Sequence, residues 1–132
     1  MNSPTKDLTD YLVSNTSLVM GVDLFAAKLP EMRGTIACLV DTGGTEPEPS
    51  NIQNPGLQVL TRADIGGELG VGGYQSAYAL MNTILSLLHA LSNTTINGTS
   101  YIVVWKTTDI FSLGEDKKGR PLLSCNLRIK RS

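Results

Sequence analysis

The sequence has few of the residues that build metal, disulfide or membrane sites. It contains one histidine and two cysteines in 132 residues, and they do not follow the spacing of zinc ligands. No apolar run reaches the ~18–20 residues that a membrane-spanning helix needs. The N-terminus also lacks the basic and apolar regions of a signal peptide. We therefore expect a protein that is made and kept in a reducing cytosol, with no membrane partner.

An excess of charge of either sign is also missing. The chain carries 11 Lys and Arg residues against 12 Asp and Glu residues, which gives a formal net charge of −1. Such a balance does not favour nucleic acid or a membrane surface as the main partner. With 41% hydrophobic residues, the composition is that of a globular chain. The length fits one domain over residues 1–132.

A glycine-rich segment, residues 65–73, follows a predicted strand and precedes a predicted helix. A dinucleotide-binding turn needs glycine at relative positions one, three and six. Gly70 and Gly72 fit the first two positions, but Gln75 occupies the sixth. A P-loop needs a lysine before its helix, and residues 63–81 contain none. The segment therefore favours a tight entry into the helix over a nucleotide site.

No other residues form a convincing catalytic set. His89 is expected on the surface near the end of the long helix, and a nucleophile would need a nearby base. Cys38 and Cys125 lie in apolar, strand-like runs, which predicts buried thiols. The acidic residues are scattered, and we interpret them as solvated charges. The sequence thus predicts no catalytic residues, no metal ligands and no cofactor.

The apolar periodicity predicts an α+β fold. We expect a mixed, largely antiparallel sheet of four or five strands, with a short and a long helix packed on one face. The predicted helices cover residues 4–15 and 73–92, and the clearest strands cover residues 35–40, 57–62, 101–107 and 123–129. Residues 18–29 read as a strand or extended segment broken at Gly21. Apolar residues beyond the main stripe of the long helix indicate a second neighbour, such as another subunit.

Two long polar connections, residues 41–55 and 109–121, interrupt this pattern. The first is rich in glycine and proline and has almost no apolar anchor. Loops of this length in compact domains are usually functional or mobile. We read the second as an exposed connection with a charged tip at residues 115–120. Both connections could reach neighbouring molecules.

In their order and spacing, these elements resemble the tail terminator proteins of long-tailed bacteriophages, also called minor capsid or tail completion proteins. The resemblance covers nearly the whole chain and is strongest over residues 55–131. It rests on residues 55–62, the helix from Tyr74, residues 88–91, 96–101, 109–116 and 119–121, and the final alternating strand.

The resemblance implies a structural protein rather than an enzyme. Such proteins form a ring, usually of six subunits, that caps the finished tail tube and stops its growth. The partners it implies are the chain itself, the tail-tube protein, the head-completion (stopper or connector) protein, and double-stranded DNA that passes through the lumen without sequence-specific binding. The expected location is the tail–head junction of the virion, after assembly in the host cytoplasm.

From this resemblance we assign contact residues in the two connections. The predicted subunit and tube contacts are Asp109, Ile110, Phe111, Leu113, Glu115, Asp116 and Arg120, with Glu46 and Glu48 in the first connection. Arg128 and Lys130 are predicted to face the lumen and its DNA, although a solvated strand face with an edge protected by charge is the simpler interpretation.

Three other functions stay open from the sequence. One is another head–tail neck component, such as a head-closure or adaptor protein. A second is the tail-tube protein, which polymerises without limit. The third, from a different class, is a small nucleotide-binding enzyme that uses the glycine-rich turn.

Overall fold

The computed structural model describes residues 1–65 and 71–132. Within them the chain forms two helices and seven strands. Their bounds are α1 Pro4–Asn15, β1 Leu24–Ala26, β2 Ile36–Asp41, β3 Gly56–Arg62, α2 Val71–Leu88, β4 Leu91–Ile96, β5 Thr99–Lys106, β6 Phe111–Glu115 and β7 Pro121–Arg131. Over this part of the chain, neither helix is both long enough and apolar enough to cross a membrane.

All seven strands belong to one mixed sheet. The strand order is β1-β2-β3-β7-β5-β4, and β6 pairs with β7. Only β1 and β2 are parallel, and the other pairs are antiparallel. One edge of β7 pairs with β3, while its other edge pairs first with β6 and then with β5. The predicted α+β class and mixed sheet are confirmed, but the prediction of four or five strands is wrong.

The sequence placed β1 only within a broad extended segment, residues 18–29, and did not reveal β6. β1 has three residues, and all five residues of β6 are exposed. Neither strand shows the alternation of buried and exposed residues from which strands are recognised. A change of register between Ser112 and Gly114 disturbs β6 further. The long helix also ends earlier than predicted, because Ala90 adopts a φ of 65° and the chain turns into β4.

Helix α1 begins where the sequence predicts. The hydroxyl of Ser3 accepts a hydrogen bond from the backbone N–H of Lys6 at 3.2 Å, and Pro4 occupies the first turn, as expected of an N-cap. The carboxylate of Asp41, the last residue of β2, accepts from the N–H of Thr5 at 3.2 Å. The start of α1 is therefore attached to the sheet.

The hydrophobic core lies between the two helices and one face of the sheet. Thr61 in β3 donates a hydrogen bond to the carbonyl of Ala77 in α2 at 3.1 Å, which fixes the helix over the strand. In the last strand, whose alternation the sequence predicted, every second residue is buried in this core: Leu123, Cys125, Leu127 and Ile129. Both thiols are buried as predicted, and burial raises the pKa of Cys38 to about 11.

A buried polar cluster joins α1 to the last strands. The carboxylate of Asp7 is inaccessible to solvent and accepts hydrogen bonds from the hydroxyl of Tyr101 at 2.6 Å and the amide of Asn97 at 2.9 Å. Arg131 Nη1 lies 3.8 Å from the same carboxylate and donates to the carbonyl of Asn2 at 2.8 Å. Burial and the bond to Asp7 raise the pKa of Tyr101. Our interpretation of Asp7 as a solvated charge was wrong.

We expect Asp7→Ala to lower the free energy of unfolding by about 3 kcal/mol, because it leaves the buried guanidinium of Arg131 without its counter-charge and the buried hydroxyl of Tyr101 without its acceptor. Asp10→Ala is the matched control, since Asp10 also accepts from Asn97 at 2.9 Å but is partly exposed. The control should cost less than about 1 kcal/mol. Urea unfolding measures both values, and equal losses would contradict the assigned role of Asp7.

Candidate functional site

The second predicted connection is an ordered β-hairpin rather than a loop. β6 pairs with the start of β7, and the turn between them closes with hydrogen bonds from the N–H of Asp116 to the carbonyl of Arg120 and from the N–H of Gly119 to the carbonyl of Asp116, both at 3.0 Å. Gly119 has a φ of 77°, which favours glycine at this position. The hairpin is therefore a defined projection at one end of the sheet.

Arg120 holds the tip of this hairpin against the segment that precedes β2. Its guanidinium is largely buried and donates to Asp116 Oδ2 at 2.7 Å, to Glu31 Oε2 at 3.0 Å and to the carbonyl of Met32 at 3.1 Å. Lys118 Nζ binds the second oxygen of Glu31 at 2.8 Å. Two of the predicted contact residues, Asp116 and Arg120, thus stabilise the hairpin through contacts within the chain. Glu31, which completes the cluster, was not among the predicted site residues.

The charges in this cluster stabilise one another. Hydrogen bonds from Lys118 and then from Arg120 lower the pKa of the Glu31 carboxyl. Burial acts to raise the pKa of Asp116, but hydrogen bonds from the N–H groups of Arg120 and Lys118 and from the guanidinium outweigh it, so the pKa is lowered. The bond to Glu31 raises the pKa of Arg120. Glu31, Asp116 and Arg120 are therefore all charged at neutral pH.

A shallow cleft of about 290 Å³ lies beside the cluster. It is lined by Glu31, Arg33, Asp64, Ile65, Lys118 and Arg120. Asp64 accepts a hydrogen bond from the N–H of Gly34 at 3.0 Å, so several of the charged lining groups already have partners. Over residues 1–65 and 71–132, no three His, Cys, Asp or Glu side chains come close enough to hold a metal ion. The cleft is a charged surface feature rather than a built ligand pocket.

The apolar residues of the hairpin separate into two groups. Ile110 is partly buried and packs against the hydrophobic core. Phe111 and Leu113 instead expose 37% and 46% of their surface. The acidic residues Asp109 and Glu115 are exposed on either side of them. Of the three predicted apolar anchors, only Phe111 and Leu113 are therefore available to another molecule.

The first connection folds back on itself at the other end of the sheet. Thr45 pairs with Asn54, and the N–H of Glu48 donates to the carbonyl of Ile52 at 2.9 Å. Gln53 pairs with Arg131, the last residue of β7. A Cβ atom at Gly44 would overlap the carbonyl of Asn54, so this close approach requires glycine. Glu46 is exposed at the tip of the connection.

Arg128 and Lys130 lie on the face of the sheet opposite the helices. Lys130 Nζ is 3.5 Å from a carboxylate oxygen of Glu48. Arg128 is half-buried opposite Trp105 in β5, and its Nη1 is enclosed without a hydrogen-bond partner. These two residues therefore present a partly neutralised basic surface. That Arg128 and Lys130 face DNA is still a prediction.

The structure does not bring the two connections together. The hairpin tip leads into Pro121 at the start of β7, and the first connection pairs with Arg131 at its end. A strand of this length spans about 33 Å. The predicted contact residues therefore form two separate projections, one at each end of the sheet.

The sequence did not reveal an exposed apolar turn between α1 and β1. Val19, Met20 and Val22 expose 51%, 43% and 58% of their surface. The turn is closed by hydrogen bonds from the N–H of Val19 to the carboxylate of Asp23 at 2.7 Å and from the N–H of Gly21 to the carbonyl of Leu24 at 3.0 Å. An apolar run suggested a strand, whereas Gly21 and Asp23 were the available signals for a turn.

Comparison with known protein families gives a match over most of the chain. A family model described as Bacteriophage tail terminator protein matches residues 11–132. The chain belongs to the bacteriophage tail terminator family. No curated protein matches it. The resemblance stated from the sequence is confirmed, and membership of this structural family makes the chain a component of the phage virion.

The remaining candidate groups occupy structural positions in this tail terminator. His89 is exposed, and its Nδ1 accepts a hydrogen bond from the N–H of Lys106 at 3.1 Å, which ties the end of α2 to β5. Gly72 and Gly73 lie in the first turn of α2. The rest of the predicted glycine-rich turn, residues 66–70, lies outside the described residues.

We expect Arg120→Met to loosen the hairpin tip without unfolding the chain, because it removes three hydrogen bonds from one side chain. Hydrogen exchange should be faster at the backbone N–H groups of Asp116 and Gly119 and unchanged in α2. Lys117→Met, which removes an exposed charge from the same turn, is the control and should leave exchange at these amides as it is. Unchanged protection in Arg120→Met would contradict the contacts described.

The same cluster should be sensitive to acid. Folding lowers the pKa values of the Glu31 and Asp116 carboxyls below their ordinary values of 4.5 and 3.8. The stability that these carboxylates contribute is therefore complete above the ordinary values and is lost as the pH falls through the lower folded values. Protection factors of the hairpin-tip amides, corrected for intrinsic exchange, should therefore decrease below about pH 4. The decrease should be smaller in Arg120→Met, and an equal decrease would argue against this cause.

Proposed function

We propose that the chain assembles into a hexameric ring that caps the phage tail tube, ends its polymerisation and provides the surface to which the head attaches. Its membership of the tail terminator family supports the cap at the end of the tail. The rest of the proposal, a ring that joins the tube to the head, is supported by the position of two different projections at opposite ends of β7.

A ring between tube and head needs two unlike surfaces along its axis. In this chain the hairpin tip provides one, with Asp116 and Arg120 fixed by their mutual contacts. The connection that carries Glu46 and Glu48 provides the other. On this proposal one projection meets the tail-tube protein and the other meets the head-completion protein. Because both projections are held by hydrogen bonds, little ordering entropy is lost when they bind.

The lumen of the proposed ring would carry double-stranded DNA. We place Arg128 and Lys130 on its surface, on the sheet face opposite the helices. Phosphate contacts require only positive charge within reach, and the pairing of Lys130 with Glu48 at 3.5 Å weakens that charge. A weak basic surface supports passage of DNA without sequence-specific binding. In this proposal the ring assembles in the host cytoplasm and stays at the tail–head junction.

Loss of the chain should leave tail-tube growth without a stop. We expect phage that carry an early stop codon in this gene to produce tails of variable and excessive length, unattached to heads, in electron micrographs of infected cells. Expression of the wild-type chain from a plasmid should restore uniform tails. A gold-labelled chain should appear at the head-proximal end of the tail.

Two results would contradict this function. Tails of normal length that fail only to join heads would indicate a head-closure or adaptor protein instead. Label distributed along the whole tail would indicate the tube protein.

A further inference from the structure

Most of the exposed large hydrophobic residues in the described chain fall into two clusters. We call Val19, Met20 and Val22 the turn cluster, and Phe111 and Leu113 the hairpin cluster. They account for five of the eight such residues, the others being Met1, Val13 and Ile65. Isolated exposed apolar residues are normal, but neighbouring ones commonly mark an interaction site.

The two clusters lie on opposite edges of the same part of the sheet. The turn cluster leads directly into β1, and Met20 pairs with Leu24 in that strand. The hairpin cluster belongs to β6, which pairs with β7 and forms the opposite edge of this part of the sheet. One row of cross-strand partners connects the edges: Phe25, Cys38, Leu60, Ser124 and Phe111.

This row fixes the distance between the two edges. Four strand spacings separate Phe25 from Phe111, which corresponds to about 19 Å. The clusters therefore lie on two edges of the sheet that face away from each other. A second copy placed beside the first in the same orientation would bring its turn cluster next to the hairpin cluster of the first.

The β6 edge is short and irregular, with a register shift between Ser112 and Gly114, which disfavours backbone pairing with another strand. All five of its residues are exposed, so their side chains are available to pack against a neighbour. Exposed charges of both signs lie near this edge, namely Asp109, Glu115 and Lys117. The proposed contact between the two edges therefore depends on their apolar residues.

We propose that the turn cluster of one subunit packs against the hairpin cluster of the next subunit. This contact joins two unlike surfaces of identical chains, and its repetition around an axis closes a ring. The inference rests on the proposed ring and adds which surfaces form it. Identical copies satisfy both clusters at once, whereas a different protein bound to one edge would leave the other edge exposed.

The test uses one variant for each surface. Val22→Asp and Leu113→Asp each place a charge in the apolar contact and should weaken self-association of the purified chain by about 30-fold or more. Phe111→Asp should act like Leu113→Asp, with the fold of the monomer unchanged by circular dichroism. Ile65→Asp is the control, because Ile65 is as exposed as Val22, at 58% each, but lies in neither cluster.

Mixing the two variants distinguishes this contact from other ways of associating. Each variant keeps one intact surface, so an equimolar mixture of Val22→Asp and Leu113→Asp should form one-to-one dimers that grow no further. Sedimentation velocity measures the stoichiometry. Failure of the mixture to dimerise, or equal weakening by Ile65→Asp, would overturn the proposal.

A cross-linking experiment decides the case in which the wild-type chain is monomeric in dilute solution. Met20→Cys combined with Leu113→Cys should give a ladder of disulfide-linked oligomers on oxidation at high concentration, and neither single variant should go beyond a dimer. The native thiols Cys38 and Cys125 are buried and have raised pKa values, so they should not compete. Absence of the ladder would overturn the contact.

The same variants separate the contact from the proposed function. If phage carrying Val22→Asp or Leu113→Asp still produce uniform tails, the contact is wrong while the role in ending the tube stands. If phage that lack the whole chain produce uniform tails, the function itself is wrong.

Discussion

The pairing of β7 on both of its edges is the constraint on which the rest of the structure depends. One edge binds β3 over seven residue pairs, and the other binds β6 and then β5. Because β7 alternates buried and half-buried residues, its register also decides which side chains enter the core. A slip of one residue would turn Leu123, Cys125 and Leu127 away from the helices. The position of every other strand in the sheet follows from this one.

This arrangement also gives the chain separate surfaces for the separate partners that we propose. The two ends of β7 carry the hairpin tip and the folded connection at residues 42–54, while the edges of the sheet carry the turn cluster and the hairpin cluster. End surfaces suit neighbours along an axis, and edge surfaces suit neighbours around it. The contact between Arg120 in the hairpin and Glu31 before β2 holds the tip in place, so Phe111 and Leu113 project from a fixed support. A rigid support reduces the entropy lost on association.

The sequence predicted those elements in which buried apolar residues recur at a regular spacing. Helix α1, the alternating β7 and the buried cysteines follow from apolar spacing and from the cap at Ser3, because the core imposes that spacing directly. Strands β1 and β6 have no such pattern, since β1 has only three residues and all five residues of β6 are exposed. The contacts of Asp7 and Glu31 could not be predicted because their partners lie far away in the chain: Tyr101 follows Asp7 by 94 residues and Arg120 follows Glu31 by 89. Family membership followed from the order of the elements rather than from any one residue.

The late position of β7 in the chain has a consequence for how the protein folds. β3 pairs with β2 early but must wait for its second partner, β7, which lies 66 residues further along at the bond between Gln58 and Ser124. Contacts over such separations slow folding, because the intervening chain loses entropy before the pairing stabilises it. Until β7 is synthesised, β3 and β5 each have one open edge, and β6 has no strand to support it. The hairpin cluster therefore forms only with the completed sheet, which would delay the proposed subunit association until folding has finished.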